Sequence, residues 1–541
     1  MTNLRLRILP LVIFLAGMAS MSLQLIGSRL LAPHFGSSIF IWTSLIGVML
    51  GFMALGNFIG GRLADARPQT DLLFWILVLL SASISLVAMV GAWSLGLFVE
   101  IESLRTGMVL GSVALFAIPC TLFGMVLPTA IRLRMNAVTD SGANIGSLSA
   151  ISMMGNIAGT FATGFWLIAL VGSRSLLAWL ALLVLILAAT MGLTLGRARN
   201  TDWYQSGRNP AANPTTKAAA LIVAAALVAG AFIWHPPAAN LQGMRVFDTL
   251  YEIYLVGEQN VASADPEVGA RPVRFLANSP RAWESAVYAD TLEPHYFSYY
   301  AFYDLAAEVA AVHSAGDPNS LMIGGGAFVY PHFFFDQFPQ AHMDVVEIDA
   351  ALVQEAEDHF GFVQPANMDI FLEDGRMLLN RAVSANRLAG AGAQMSYGPY
   401  DLVILDAFNS ANSVPFQLTT RESMQHCADL LTDDGLLVMN LIASLRGEGS
   451  EFLASQYLTL QQVFQQVEVF KVTDRVILAD VPRNVAIIAS NSTSFDLRRS
   501  IEEANPELAQ RRITPDMENA IILTDDFAPV DQMLMNVNRP Q

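Results

Sequence analysis

Long apolar runs fill the first 240 residues of the chain and then stop. Seven segments, roughly 8–29, 38–60, 71–98, 107–130, 148–171, 174–195 and 217–234, approach the length a helix needs to cross a bilayer, about 20 residues. The last is short and alanine-rich. Arg5 and Arg7 precede the run from Ile8 as they would in a signal peptide, but further spans follow, so the run is expected to be a retained first helix. Gly155, Gly159 and Gly164 fall on or near one helical face and predict close helix contact. Arg29 and His34 lie at the end of the first span, where a polar vestibule is one expectation and simple snorkelling the other.

Beyond residue 240 the apolar runs shorten to strand length. YEIYLV and PVRFLA, broken by Gly, Pro and Asp, predict a small β-hairpin layer over 241–297. From 298 to 541 strands alternate with helices: a helix over 298–313, a strand from Leu321, a helix over about 350–360 and a strand near 368–372. DLVILD at 401–406, GLLVMNL at 435–441, VEVFKV and NVAIIAS supply further strands. Such alternation predicts a parallel, doubly wound α/β sheet, whose ligands bind beyond the carboxyl ends of the strands. The expected domains are therefore 1–240, a helical membrane domain of about seven helices, then the 241–297 layer, then the 298–541 α/β domain.

Charge sharpens that division. Residues 1–240 carry 13 Lys and Arg against 6 Asp and Glu, and residues 241–541 carry 17 against 41, so the halves stand at +7 and −24. An acidic soluble half disfavours nucleic acid, whose binding is dominated by neutralisation of phosphates, and fits either cationic substrates or plain solubility. In the membrane half, Arg62 and Arg67, Arg132 and Arg134, then Arg197, Arg199, Arg208 and Lys217 mark alternate loops. By the positive-inside rule these loops are cytoplasmic. An odd number of spans then favours placing the soluble half outside a cell membrane, which sits badly with a cytosolic nucleoside ligand; a seventh segment that lies on the surface or re-enters would return it to the cytoplasm. Two cysteines, Cys120 and Cys427, predict no structural disulfide.

Candidate chemistry concentrates in SLMIGGGAFVYPHFFFDQFPQAHMDVVEID, residues 320–349. A strand ends in Gly324, Gly325 and Gly326, a helix-length segment follows, and a second strand ends in Glu347 and Asp349. Glycines let the backbone approach a ligand closely where a loop enters a helix, and an acid 23 positions after Gly324 is placed to accept from a ribose diol. Asp374 and Asp406 follow other strands and fall at the same sheet edge.

IGGG at 323–326, DVVEID at 344–349, EDGR at 373–376 and YDLVILDAFNSANSVPFQLTTRE at 400–422 resemble the spermidine synthase (polyamine aminopropyltransferase) family, a Rossmann-like branch of the S-adenosylmethionine enzymes. With RLLAPHFGSS, GGRLADARP and LTDDFAPVDQ, nearly the whole chain is similar to the membrane-fused members of that family. The resemblance implies that Gly324, Gly325 and Gly326 face the sulfonium end of the donor. It implies that Glu347, beside Asp349, holds the ribose, that Asp374 with Gly375 meets the adenine, and that Asp406 is the catalytic acid. The donor would be decarboxylated S-adenosylmethionine, or S-adenosylmethionine itself, with no metal. Dimerisation is what the family implies for the soluble domain.

The departures fall on the acceptor side. Soluble spermidine synthases carry aspartates where this chain has Ala327 and Asn409, both of which bind substrate amino groups. Glu284 stands where a glutamine is common, and Tyr299 opens YYAFYD, which lacks the usual Tyr-His pair. Asn409, Glu284 and Tyr299 are the expected acceptor contacts, and Asp336, Asp525 and Asp526 are further acids available to compensate. An aminopropyltransferase acting on an amine is the first functional expectation. A methyltransferase acting on a membrane-proximal substrate is the second, and a non-catalytic transporter or nucleoside sensor the third.

Overall fold

An uninterrupted apolar run satisfies its own backbone most completely as a helix, and the first part of the chain is helical at all of its described residues but Ile101, Gly172 and Asn213. The computed structural model describes residues 2–35, 39–66, 70–99, 101, 104–134, 141–195, 213–233, 244–249, 251–262, 269–278, 283–295, 297–389, 397–407, 414–473 and 483–535. Contacts divide the chain into two units, Met1–Gln242 with Phe247–Ile253, and Gly243–Val246 with Tyr254–Gln541.

The first unit contains α1 (Thr2–Phe35), α2 (Ile39–Ala66), α3 (Thr70–Val99), α4 (Leu104–Arg134), α5 (Ser141–Ala162), α6 (Ile168–Val171), α7 (Ser173–Leu195) and α8 (Pro214–Ile233). Six of them, α1 to α4, α7 and α8, are long and apolar enough to cross a membrane. The segment expected at 148–171 is also helical, but a π-helical turn, Thr163–Leu167, separates α5 from α6. Small residues set the packing. A Cβ on Gly155 would lie 2.1 Å from the Phe14 carbonyl oxygen, and one on Gly159 would lie 2.3 Å from that of Met18. Gly164 is different, since its nearest neighbour is a Leu25 methyl at 3.9 Å. Arg29 donates to the Thr249 carbonyl at 2.7 Å.

In the second unit β2 (Ile253–Ala262), β3 (Ala270–Ala277) and β4 (Ser285–Tyr288) form an antiparallel layer, and β1 (Arg245–Asp248) straddles the boundary between the units. The α/β part follows as α9 (Tyr300–Ser314), β5 (Ser320–Ile323), α10 (Val329–Gln337), β6 (Met343–Glu347), α11 (Ala350–His359), β7 (Met368–Leu372), α12 (Gly375–Ala389) and β8 (Tyr400–Leu405). It continues with α13 (Arg421–Leu430), β9 (Leu431–Ala443), α14 (Glu451–Gln461), β10 (Gln466–Lys471), β11 (Arg483–Ser490), α15 (Leu497–Ala504), α16 (Pro506–Ala509), β12 (Arg512–Ile513) and α17 (Val530–Met535).

The sheet order is β12-β10-β11-β9-β8-β5-β6-β7. Pairings from β7 through β9 are parallel, whereas β11 pairs antiparallel with β9 and β10, and β10 pairs antiparallel with β12. The sheet is therefore mixed rather than wholly parallel, with the antiparallel pairings confined to the side beyond β9. This is a Rossmann-like α/β sheet. Its order reverses between β5 and β8, which makes that edge the switch point where ligands bind. Buried strands read as near-continuous apolar runs because helices cover both faces. Leu321, Ile323, Val403, Leu405, Leu437 and Met439 accordingly share one core with Leu378, Met424 and Phe452 of the covering helices.

Candidate active site

The glycine loop sits over the switch point because its backbone has no alternative. Gly324 has φ +99°, and a Cβ there would lie 2.3 Å from the Asp406 carbonyl oxygen. Its amide donates to Val346 O at 2.9 Å, and the Asp406 amide donates to Ile323 O at 2.9 Å. The end of β5 is thus held directly against the first residue after β8. Gly326, at φ +53°, would place a Cβ 2.9 Å from Ser285 Oγ, and the Ala327 amide donates to that same hydroxyl at 3.0 Å.

Glu347 closes the loop from the other side. Its Oε2 accepts from the amides of Gly325 at 2.9 Å and Gly326 at 3.0 Å, and its Oε1 accepts from the Asp349 amide at 2.9 Å. Burial raises its pKa, and those three amides oppose the rise. Asp349 caps α11 by accepting from the Ala351 amide at 3.1 Å. Asp374, at the end of β7, accepts from the Met377 amide at 3.0 Å and so begins α12. A Cβ on Gly375 would lie 2.5 Å from Ile323 Cγ2, so α12 starts against the end of β5.

Asp406 is the electrostatic centre of this edge. Asn440, 5% exposed on β9, donates from Nδ2 to Asp406 Oδ1 at 3.1 Å. Burial pushes the Asp406 carboxyl from 3.8 up to about 6, against the opposing effects of Asn440 and the adjoining Tyr303 hydroxyl. Tyr299, Tyr300 and Tyr303 form a buried aromatic wall at the start of α9, with ring centroids 4.8 Å apart for the first pair and 5.6 Å for Tyr299 and Tyr303. The hydroxyl of Tyr299 is held well above its ordinary pKa, by burial first and then by Tyr300, Asp406 and Glu284. One edge of the sheet therefore gathers an amide-rich loop, a half-buried carboxylate with a raised pKa and an aromatic wall with a second acid beside it. That set can hold a nucleoside at the loop and a cation at the carboxylate.

The structure brings Gly324, Gly325, Gly326, Glu347 and Asp349 together with Asp406, Tyr299 and Glu284, and puts Asp374 and Gly375 at the neighbouring strand end. Asn409 lies outside the described residues. Asp525 is engaged elsewhere, accepting from Arg376 at 2.6 Å and from the Thr420 hydroxyl at 2.7 Å. Asp336 and Asp526 are exposed. Sequence reasoning missed Ser285, Tyr300, Tyr303 and Asn440. The tyrosines left a signal, three hydroxyls at 299, 300 and 303 on an amphipathic helix start, and Asn440 left another as the one polar residue in GLLVMNL. Ser285 left none.

No family model matches the chain. Among curated proteins it is similar to a polyamine aminopropyltransferase of Vibrio vulnificus (strain CMCP6), 32% identical over 225 residues, covering 39% of this chain and 68% of that protein. It is also similar to a probable polyamine aminopropyl transferase of Bifidobacterium longum (strain NCC 2705), 26% identical over 265 residues, covering 43% of this chain and 53% of the other. A third relative is the eEF1A lysine and N-terminal methyltransferase of Homo sapiens, 28% identical over 161 residues, covering 29% of this chain and 21% of that protein. Among solved structures, a probable spermidine synthase from Corynebacterium glutamicum ATCC 13032 aligns with TM-score 0.38 and 18% identity, over 55% of this chain and 95% of that one. Human methyltransferase-like protein 13 in complex with SAH aligns with TM-score 0.31 and 22% identity, over 40% and 92%.

Proposed function

The chain belongs to the spermidine synthase-like, or polyamine aminopropyltransferase, family and is a transferase, and from that premise we propose that it moves an aminopropyl group from decarboxylated S-adenosylmethionine to an amine. The six long apolar helices anchor it in a cell membrane as a multi-pass protein. One observation carries the reading: the half-buried Asp406 and the glycine loop are joined backbone to backbone at a single sheet edge.

In this reading the loop and Glu347 hold the nucleoside, with Asp374 at the adenine end. The donor supplies an activated carbon beside a sulfonium. An amine acceptor arrives as an ammonium and has no lone pair until it loses a proton. Ionised Asp406 holds that cation and takes the proton. The freed nitrogen pair then forms the new C–N bond as the C–S bond breaks, its electrons returning to sulfur and leaving a neutral thioether, methylthioadenosine. Tyr299, Tyr300 and Tyr303 exclude water and present ring faces, which attract a cation. Glu284 offers a second charge at the Tyr299 end, for the far part of the acceptor.

Methyl transfer is the second reading, favoured by the similarity to the human methyltransferase. Calorimetry on the purified full-length protein tests the donor site directly: methylthioadenosine is expected to bind, and a flat titration rejects the assignment. Mass spectrometry of products separates the two chemistries. A mass increase of the acceptor by an aminopropyl group supports the first reading, and a mass increase by a methyl group replaces it with the second. Asp406→Asn should abolish aminopropyl product while leaving methylthioadenosine affinity within about twofold, a change of a few tenths of a kcal/mol.

A further inference from the structure

We infer that the membrane-spanning unit crosses the bilayer seven times and delivers the chain to the extracytoplasmic side, so that the catalytic edge works outside the cytoplasm. The inference rests on the helical unit alone. It deepens the proposed function by fixing where that chemistry has its substrates.

The seventh crossing is the helix interrupted by the π turn. It is not among the six helices that are long and apolar enough by themselves, yet it runs beside α1 in the same direction and at the same depth. Gly155 meets Phe14, Gly159 meets Met18, and the Thr163 hydroxyl donates to Ser22 Oγ at 2.7 Å. These contacts advance together along two parallel helices, through the middle of the span Ile8–Ala32. Thr163 and Ser22 are both wholly buried, so this pair of hydroxyls is satisfied between the interrupted helix and α1 and does not face lipid, and the Thr160 hydroxyl is satisfied within its own helix by the Asn156 carbonyl at 2.9 Å. A helix whose polar atoms are paired internally is compatible with the hydrocarbon region.

The remaining helices alternate in direction. Gly27 of α1 packs on Leu45 of α2 and Ser20 on Met53, which makes that pair antiparallel. Ser81 of α3 donates to Ala181 O of α7 while Phe74 meets Gly192, again antiparallel. Asp71 pairs with Lys217, and Met89 meets Gly230, so α3 and α8 run parallel. One end of the bundle therefore holds the start of α1, the ends of α2, α4 and α7, the starts of α3, α5 and α8, and the Arg132–Asp65 ion pair at 3.2 Å. The opposite end holds the end of α1 and the start of α7. Residues 247–253 belong to this opposite end: Asp248 Oδ2 accepts from the Ser173 amide at 2.8 Å, and Arg29 donates to Thr249 O at 2.7 Å.

Lys and Arg are divided very unequally between the two ends. Among the described residues, Arg62, Arg132, Arg134 and Lys217 lie at the first end with the helical positions Arg5 and Arg7 at the start of α1, and Arg29, Arg105 and Arg174 lie at the second; the sequence adds Arg67 between α2 and α3 and Arg197, Arg199 and Arg208 between α7 and α8. An excess of that kind marks the cytoplasmic end. The chain leaves the unit from the other one. A sulfonium nucleoside carries a fixed charge and does not cross hydrocarbon unaided, so a transport step must stand between the reaction that makes the donor and the reaction that uses it.

Cysteine accessibility in sealed spheroplasts tests this. The native Cys120 and Cys427 are buried, at 1% and 0% exposure, and give little background. Glu507→Cys replaces a side chain 82% exposed in the soluble unit, and Asp65→Cys one 76% exposed at the arginine-rich end. A membrane-impermeant maleimide is expected to label Glu507→Cys in intact spheroplasts and Asp65→Cys only after permeabilisation. Labelling of Glu507→Cys only after permeabilisation overturns the inference, whatever Asp65→Cys does. As a check independent of either variant, proteinase K added outside should remove the soluble unit of the wild-type chain, and full protection overturns the inference equally. Both readouts are indifferent to nucleoside binding, so failure here leaves the donor site standing, and a flat methylthioadenosine titration leaves the topology standing.

Discussion

Asn440 Nδ2 donates to Asp406 Oδ1 across 3.1 Å, from the middle of β9 to the end of β8. Since a carboxylate can only accept, the amide nitrogen of Asn440 must face it, and the bond favours the ionised acid. Asn440 thereby limits a rise that burial drives, and the carboxyl settles at about 6. For a base that must be ionised in the free enzyme, kcat/KM should climb as pH rises through about 6 and then level off. Asn440→Leu keeps the volume and removes the donor, so the climb should move to higher pH. An unchanged profile would remove Asn440 from this role. Stability runs the opposite way. A carboxyl whose folded pKa is raised from 3.8 binds more protons folded than unfolded, so its contribution declines between about pH 4 and pH 6 and is constant above.

Glu347 offers a test of the donor loop. Its two oxygens accept from three amides, Gly325 and Gly326 on one and Asp349 on the other. Glu347→Gln replaces one oxygen with an NH2 group, and either orientation turns that group toward a backbone N–H. At least one bond to a charged acceptor is lost, worth about 1.5–3 kcal/mol. Methylthioadenosine affinity should fall on the order of ten- to a hundredfold, measured by calorimetry. Glu347→Asp, which keeps the charge but shortens the reach, should bind better than the glutamine variant if charge governs the loop.

Gly324 is the position where backbone conformation decides the outcome. At φ +99°, with a Cβ 2.3 Å from one Asp406 atom and 2.7 Å from the next, Gly324→Ala cannot be accommodated without moving β5 away from β8. Strain of about 1–3 kcal/mol is expected for the dihedral alone, before the clash. The variant should melt at lower temperature in detergent and lose both methylthioadenosine binding and product formation. Gly316→Ala, where a Cβ meets nothing within 4 Å, is the matched control and should retain both.

Much of this site was legible in the residues themselves. Apolar runs capped by Gly324, Glu347, Asp374 and Asp406 placed four strand ends at one edge, because parallel strands covered on both faces must be apolar throughout and so announce their ends by polarity. What stayed hidden was tertiary. Ser285 belongs to a β layer 39 residues before Gly324, and no local pattern says that its hydroxyl receives the Ala327 amide. The direction of α5 beside α1 was likewise invisible, although its glycines at 155 and 159 foretold the closeness. Gly164 fails to make the same contact because the helix widens into a π turn from Thr163, which carries it off the face.

Ala327 tests the acceptor half. It is wholly buried, its amide is tied to Ser285 Oγ at 3.0 Å, and soluble spermidine synthases carry an aspartate there. Ala327→Asp should destabilise the protein without ligand, since an uncompensated buried charge costs about 3–5 kcal/mol. If the pocket beyond the loop is where the amine sits, a diamine supplies the missing counter-charge. Excess 1,4-diaminobutane should then raise the melting temperature of Ala327→Asp more than that of the wild-type chain, because a ligand at a hundred times its Kd adds about 2.7 kcal/mol. Equal shifts for the two proteins would mean that the acceptor does not lie against Ala327. A larger shift for the wild-type chain would place the cation elsewhere, with Glu284 and Asp406 as its remaining acids.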